Sequence, residues 1–228
     1  AEQMLVHENA IVKVREDMPL DRAALVGCGV VTGFGAAMNT AKVAVGETVA
    51  IIGCGGVGMA AVNGAYVAGA ARVIAIDTNA ARLQLATKLG ATDLVNPNDG
   101  DPVEQVLEMT KGGVHHAIEC LGKKTTAEQA FRMLAIGGTA TIVGMVPFGE
   151  KIELHGADFL RERRIQGSSM GSNRFRVDMP RMIELYLQGR LHLDDWISNT
   201  IRIEQINEGY ADMKAGKGLR TVIDFGVV

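Results

Sequence analysis

A chain of 228 residues, 47% hydrophobic and 21% charged, is long enough to bury a core that needs no disulfide support. Its formal net charge of -3 supplies no basic field for nucleic acid or an anionic membrane, so neither is an expected partner. Three cysteines, Cys28, Cys54 and Cys120, make no disulfide framework and fit a reducing cytoplasm.

In chain order, Ala1 to Val14 reads as two short extended segments with no hairpin turn of their own. With no initiator methionine before them, they are expected to belong to something larger. Leu20 to Thr40 reads as helical, with Asp21 as N-cap and a glycine-rich interruption from Gly27 to Gly35. An alternation then begins: Thr48 to Ile52 strand, Val57 to Ala68 helix, Arg72 to Asp77 strand, and a helix from an Asn79 cap to Leu89. It continues with Asp93 to Asn96 as strand, Pro102 to Thr110 as helix with proline in its first turn, and His115 to Glu119 as strand. Thr125 to Leu134 follows as helix, then Thr139 to Val143 and Arg164 to Ser169 as strands. The rhythm predicts a doubly wound α/β domain of the Rossmann type, a parallel sheet with right-handed crossovers and helices on both faces. After it, Pro180 to Gln188 and Ile203 to Lys214 read as helices and Thr221 to Phe225 as a closing strand.

Thr48 to Ala71 carries no charge and has the length of a membrane span, but its six glycines suit a strand, a tight turn and a closely packed helix instead. Within it, Gly53-Cys54-Gly55-Gly56-Val57-Gly58 is a G-x-G-x-x-G that follows a strand and opens a helix. The first glycine allows the turn, the second lets a pyrophosphate approach the backbone, and the third lets helix and strand pack closely. The helix N-terminus offers unpaired N–H groups and a positive dipole end to an anion. Asp77 ends the next strand about twenty residues on, where a carboxylate accepts from adenosine ribose hydroxyls and repels a 2′-phosphate, which favours NAD over NADP. Arg82, one turn into the following helix, is placed to lie against the ribose or to pair with a 2′-phosphate. His115 and His116 are adjacent, so on a strand they point to opposite faces and cannot chelate one ion. Cys54 and Cys120 form no C-x-x-C pair and are expected to pack in the core.

Leu25 to Val45 (LVGCGVVTGFGAAMNTAKVAV), the glycine motif, Gly69 to Asp77, Gly90 to Pro97 (GATDLVNP), Gly112 to Gly122, Gly137 to Pro147 and Asn207 to Asp224 together resemble the zinc-containing medium-chain alcohol dehydrogenases. The resemblance implies that Cys28 supplies one ligand of a catalytic zinc and that Thr32 lies near the nicotinamide. It implies further that Cys120 and Leu121 flank the adenosine side, that Val143, Ser168 and Met170 neighbour the nicotinamide, and that Arg220 reaches the pyrophosphate. His115 stands where the family usually has an acid.

The family's other two zinc ligands, its proton relay and its four-cysteine zinc loop belong to an N-terminal catalytic domain expected before Ala1. The chain thus divides into 1–20 as a residual segment of that domain, 21–175 as the dinucleotide-binding domain, and 176–228 as a segment returning to the catalytic domain. The full parent is expected to transfer hydride between a small alcohol, or an aldehyde adduct, and NAD at zinc, as a homodimer or homotetramer joined through the sheet edge between Val143 and Met170. This chain alone is expected to bind NAD without turnover. A zinc-free NADPH-dependent reductase, a non-catalytic NAD-binding module and a thiol-dependent formaldehyde dehydrogenase stay open as alternatives.

Overall fold

The computed structural model describes residues 4–226. The extended reading of Ala1 to Gln3 and the last two residues lie outside them. The elements run α1 (Leu20–Leu25), α2 (Val31–Gly35), β1 (Thr48–Ile52), α3 (Gly56–Val67), β2 (Arg72–Ile76), α4 (Ala80–Lys88), β3 (Asp93–Val95) and α5 (Pro102–Thr110). Then come β4 (Val114–Glu119), α6 (Lys124–Arg132), β5 (Leu134–Ile142), β6 (Arg164–Gly167), α7 (Phe175–Leu187), β7 (Ile197–Arg202), α8 (Ile206–Lys214) and β8 (Arg220–Asp224). The chain divides into two compact units, Cys28–Asn173 and the described residues on either side of it.

In the larger unit β1 to β6 form one parallel sheet in the order β3-β2-β1-β4-β5-β6. The chain starts in the middle, winds outward to β3, then crosses to the other side of β1. With right-handed crossovers that reversal puts the two sets of helices on opposite faces. Ala50, Ile52, Ile74 and Ile76 pack with Val103 and Val106 of α5 and Ala130 and Phe131 of α6. Alternate residues face the other way: Ile51 lies under α3 beside Gly58. Strands buried on both faces must be apolar throughout, which is why β1 and β2 read as unbroken hydrophobic runs.

Local chemistry sets the helix starts. Asn79 accepts from the backbone N–H groups of Ala81 and Arg82 at 2.9 and 3.2 Å, and Asp101 accepts from Val103 at 2.8 Å with Pro102 in the first turn. Asp21 does not cap α1. Pro19 holds that position with φ -59°, and Asp21 lies inside the first turn, ion-paired to Arg22. The glycine-rich stretch from Gly27 to Gly35 is no interruption either. The helix passes through it by widening into π turns at Val26–Val30 and Ala36–Ala41. From Leu20 to Ala41 it is long and apolar enough, by length and composition, to cross a membrane, yet 56% of its most apolar window is buried. The uncharged run from Thr48 to Ala71 is a strand, a turn and a helix.

The smaller unit is built on α7, with Met182, Ile183, Leu191, Leu193 and Trp196 as its core. β7 and β8 pair in parallel there, joined by α8. β7 is absent from the sequence reading because ISNTIR lacks an alternating apolar face: only Ile201 is buried. Arg15 pairs with Glu184 of α7 at 2.6 Å, and Arg176 donates to the Glu8 carbonyl, so the early segment lies against α7.

Gly33 decides how closely α2 and α3 cross. A Cβ there would lie 1.9 Å from the Val57 carbonyl and 2.7 Å from the Ala60 Cβ, whereas one at Gly27 meets nothing within 4 Å. Gly33→Ala is expected to destabilise the chain by about 1–3 kcal/mol. Gly27→Ala is expected to be neutral or to stabilise by up to about 1 kcal/mol through helix propensity alone. Urea unfolding midpoints of the two variants check the contrast.

Candidate functional site

In a parallel sheet all strands end on the same side, and here the residue after each strand donates its N–H to the end of the neighbouring strand. Ser168 donates to Ile142, Val143 to Glu119 and Cys120 to Ile52, each at 2.9 Å; Gly53 donates to Ile76 at 2.8 Å and Asp77 to Val95 at 3.2 Å. Five residues singled out in the sequence therefore stand in one continuous rim, with the β1–α3 loop at its centre. Open sheets of this kind bind ligands in the crevice outside the carboxyl ends, where the strand order reverses, between β1 and β4 in this chain.

The glycine loop has the geometry its spacing predicts. Gly53 adopts φ +92°, and a Cβ at Gly58 would stand 1.7 Å from the Gly53 carbonyl, so helix and turn touch backbone to backbone. A Cβ at Gly55 would meet nothing within 4 Å, and no side chain caps the N-terminus of α3. Open space therefore faces the helix end. Gly56 begins the helix and is buried, with Val57 half-buried beside it. Leu121, 49% exposed, folds over the turn: its Cγ lies 2.6 Å from where a Gly53 Cβ would be.

Asp77 is buried, and its carboxylate is held by two backbone N–H groups, Cys54 to Oδ2 at 2.7 Å and Asn79 to Oδ1 at 2.8 Å. It thus pins the glycine loop to the start of the next loop. Arg82 stands 3.9 Å from Oδ2, and its Nε is buried with no hydrogen-bond partner. Cys54 is buried, and burial with the nearby Asp77 charge pushes its thiol up to about 12. Burial and Glu119 hold the Cys120 thiol well above its ordinary range. Neither thiol is a nucleophile at neutral pH.

Cys28 is exposed. One helical turn on, Thr32 is buried and its hydroxyl donates to the Met170 sulfur at 3.7 Å. Arg220 lies half-buried in β8 of the smaller unit, its guanidinium donating to the Leu219 carbonyl. His115 and His116 do face opposite ways. His115 is exposed against Thr48, and His116 is buried against Glu47 at 2.8 Å.

Glu119 is the rim residue that the sequence reading missed. It is fully buried at the end of β4, and its Oε1 accepts from Leu121 N and Gly122 N at 2.8 Å and from the Thr126 hydroxyl at 2.7 Å. Its carbonyl receives Val143 N and Gly144 N. One residue thus fixes the loops after both β4 and β5. The available signal was an acid closing an apolar strand, where only a paired carboxylate is tolerated.

A family model described as zinc-binding dehydrogenase matches residues 56–188. The chain belongs to the zinc-binding dehydrogenase family. Alcohol dehydrogenase 1 of Oryza sativa subsp. indica is 40% identical to it over 226 residues, 98% of this chain and 60% of that protein. The zinc-binding dehydrogenase chain therefore spans three-fifths of such a relative's length. Benzyl alcohol dehydrogenase from Acinetobacter calcoaceticus superposes with a TM-score of 0.90 at 34% identity, over 93% of this chain and 59% of that one. A zinc-binding dehydrogenase from Sinorhizobium meliloti 1021, solved bound to NADP, has a TM-score of 0.75 at 33% identity, over 84% and 56%. Among the described residues of this zinc-binding dehydrogenase chain, no three His, Cys, Asp or Glu side chains gather as a metal site.

Glu119→Ala would strand Leu121 N and Gly122 N, at a cost of about 3 kcal/mol, while the Thr126 hydroxyl keeps the Lys123 carbonyl. Glu119→Gln keeps an acceptor and is expected to lose less than half of that. Thermal unfolding of the two variants measures the difference.

Proposed function

We propose that this chain is the coenzyme-binding part of an alcohol dehydrogenase-type oxidoreductase that uses NAD, with the dinucleotide lying along the rim from Asp77 to Met170. The observation that carries this reading is the rim itself: the uncapped N-terminus of α3, the open face of Gly55 and the buried Asp77 carboxylate adjoin one another at the strand-order reversal. The α3 N-terminus and Gly53, Gly55, Gly56, Val57 and Gly58 receive the pyrophosphate. Each Asp77 oxygen accepts one backbone N–H and keeps a lone pair for a ribose hydroxyl. Cys120 and Leu121 wall the adenosine side, and Thr32, Val143, Ser168 and Met170 border the nicotinamide. When bound, the nicotinamide accepts or delivers a hydride; the chain's part is to hold and orient it.

Cys28 offers one thiol where a catalytic zinc takes three protein ligands, so the described residues do not by themselves fit that ion. Zinc chemistry on a small alcohol or aldehyde belongs, in this reading, to a parent protein in which other residues complete the site. We also propose a cytoplasmic protein that pairs as a homodimer or homotetramer through β6, an edge strand of the sheet. Light scattering at micromolar concentration should then give at least twice the chain mass.

The second reading, NADPH, is favoured by Arg82, whose guanidinium beside Asp77 has an unpartnered Nε to offer a 2′-phosphate. Against it, a buried carboxylate at that point repels the phosphate. Calorimetric titration with NADH and NADPH separates the two. NADH is expected to bind at least about tenfold tighter, the worth of one charge-assisted contact. Preference for NADPH would transfer Arg82 to phosphate binding, and binding of neither would mean that other residues of the parent complete the cofactor site or that the chain is a scaffold.

A further inference from the structure

Between β6 and α7 the backbone takes three left-handed residues in succession, Met170 (φ 49°), Gly171 (φ 66°) and Ser172 (φ 47°). Only the middle one is glycine, so two side-chain-bearing residues are held where L residues rarely stay. Within the turn, Ser172 N donates to the Ser169 carbonyl at 2.9 Å, and the Asn173 amide donates to Met170. A single bond of that kind does not choose a left-handed turn over the right-handed one.

The rest of the constraint comes from the helix that carries Cys28 and Thr32. Gly35 and Gly171 meet backbone to backbone: a Cβ at Gly35 would lie 2.4 Å from the Gly171 carbonyl, and one at Gly171 2.3 Å from the Val31 carbonyl. Asn39 donates its amide to the Gly171 carbonyl at 3.2 Å. Thr40 does more. Its Oγ1 lies 2.7 Å from the Ser168 hydroxyl and 2.7 Å from the Ser172 hydroxyl, so one oxygen joins the end of the rim to the end of the turn. A hydroxyl has one hydrogen and two lone pairs, enough to serve both neighbours at once. The Thr40 carbonyl in turn accepts from Gln166 at 3.1 Å, which ties it to β6.

We propose that Thr40 is a positioning residue for the nicotinamide: its hydroxyl, shared by Ser168 and Ser172, locks the left-handed turn that presents Met170. The inference rests on the cofactor reading above and adds a residue that acts through Ser168 and Ser172. Thr40→Val removes the hydroxyl and keeps the shape; Thr40→Ser restores the hydroxyl alone. Ser172 is exposed and can turn to water, so the fold survives the first change.

The test has two parts. In ligand-free protein, amide hydrogen exchange at Ser172 is expected to quicken in Thr40→Val and to stay at the wild-type rate in Thr40→Ser; no change in Thr40→Val overturns the lock. By calorimetry with NADH and with ADP-ribose, which lacks the nicotinamide, Thr40→Val is expected to weaken NADH by about tenfold, the worth of one or two hydrogen bonds, and to leave ADP-ribose unchanged. Thr40→Ser is expected to recover NADH binding. Equal loss for both ligands, or an unchanged ratio, overturns the positioning role. If exchange responds while wild-type protein binds NADH no better than ADP-ribose, the lock stands, and both the nicotinamide reading and the Thr40 role that rests on it fall.

Discussion

The parallel register of β1 with β4 is the constraint on which the site depends. Ile52 pairs with Glu119, so Cys120 N reaches the Ile52 carbonyl and the loops after both strands leave the sheet side by side. The same offset repeats from β6 across to β3. A slip of one residue in any pair would turn its side chains to the opposite face and break the rim at that point. Buried apolar side chains on both faces oppose the slip, because it would pull them out of a packed core.

Close approach is the second requirement, and glycine meets it at few places. Gly58 lets α3 begin against the Gly53 carbonyl, and Gly33 lets the long helix lie on the first turns of α3. These contacts have no room for a methyl group. The open side of Gly55 belongs to the same short loop. Packing and an open ligand face thus depend on different glycines a few residues apart.

The acids at the rim show how a protein keeps charge near a binding crevice. Asp77 and Glu119 are buried, and backbone N–H groups hold both. Such bonds stabilise a carboxylate, and at Asp77 the Arg82 guanidinium adds a countercharge 3.9 Å away. Both acids are also tethers, joining the loop after β1 to that after β2, and the loop after β4 to that after β5. The electrostatics of the rim and the shape of its loops cannot be altered separately.

Much of this was legible in the residues. Unbroken apolar runs marked β1 and β2 because both their faces are covered, G-x-G-x-x-G marked the turn between them, and Asn79 and Pro102 marked helix starts that depend on nearest neighbours alone. Local signals misled where distant contacts decide. Gly27 to Gly35 reads as a break, yet stays helical because Gly33 and Gly35 pack against Val57 and Gly171, which offsets their poor propensity. β7 has no apolar alternation and exists through its pairing with β8. Thr40 and Ser172 lie 132 residues apart, and no pattern in the chain connects them. The sequence by itself determined the alternation of strands and helices, the glycine turn and the acid at the end of β2, since these follow from burial and local backbone geometry. Only the tertiary structure decided which hydroxyls and carboxylates meet across the loops, because such meetings are made by packing between segments far apart in the chain.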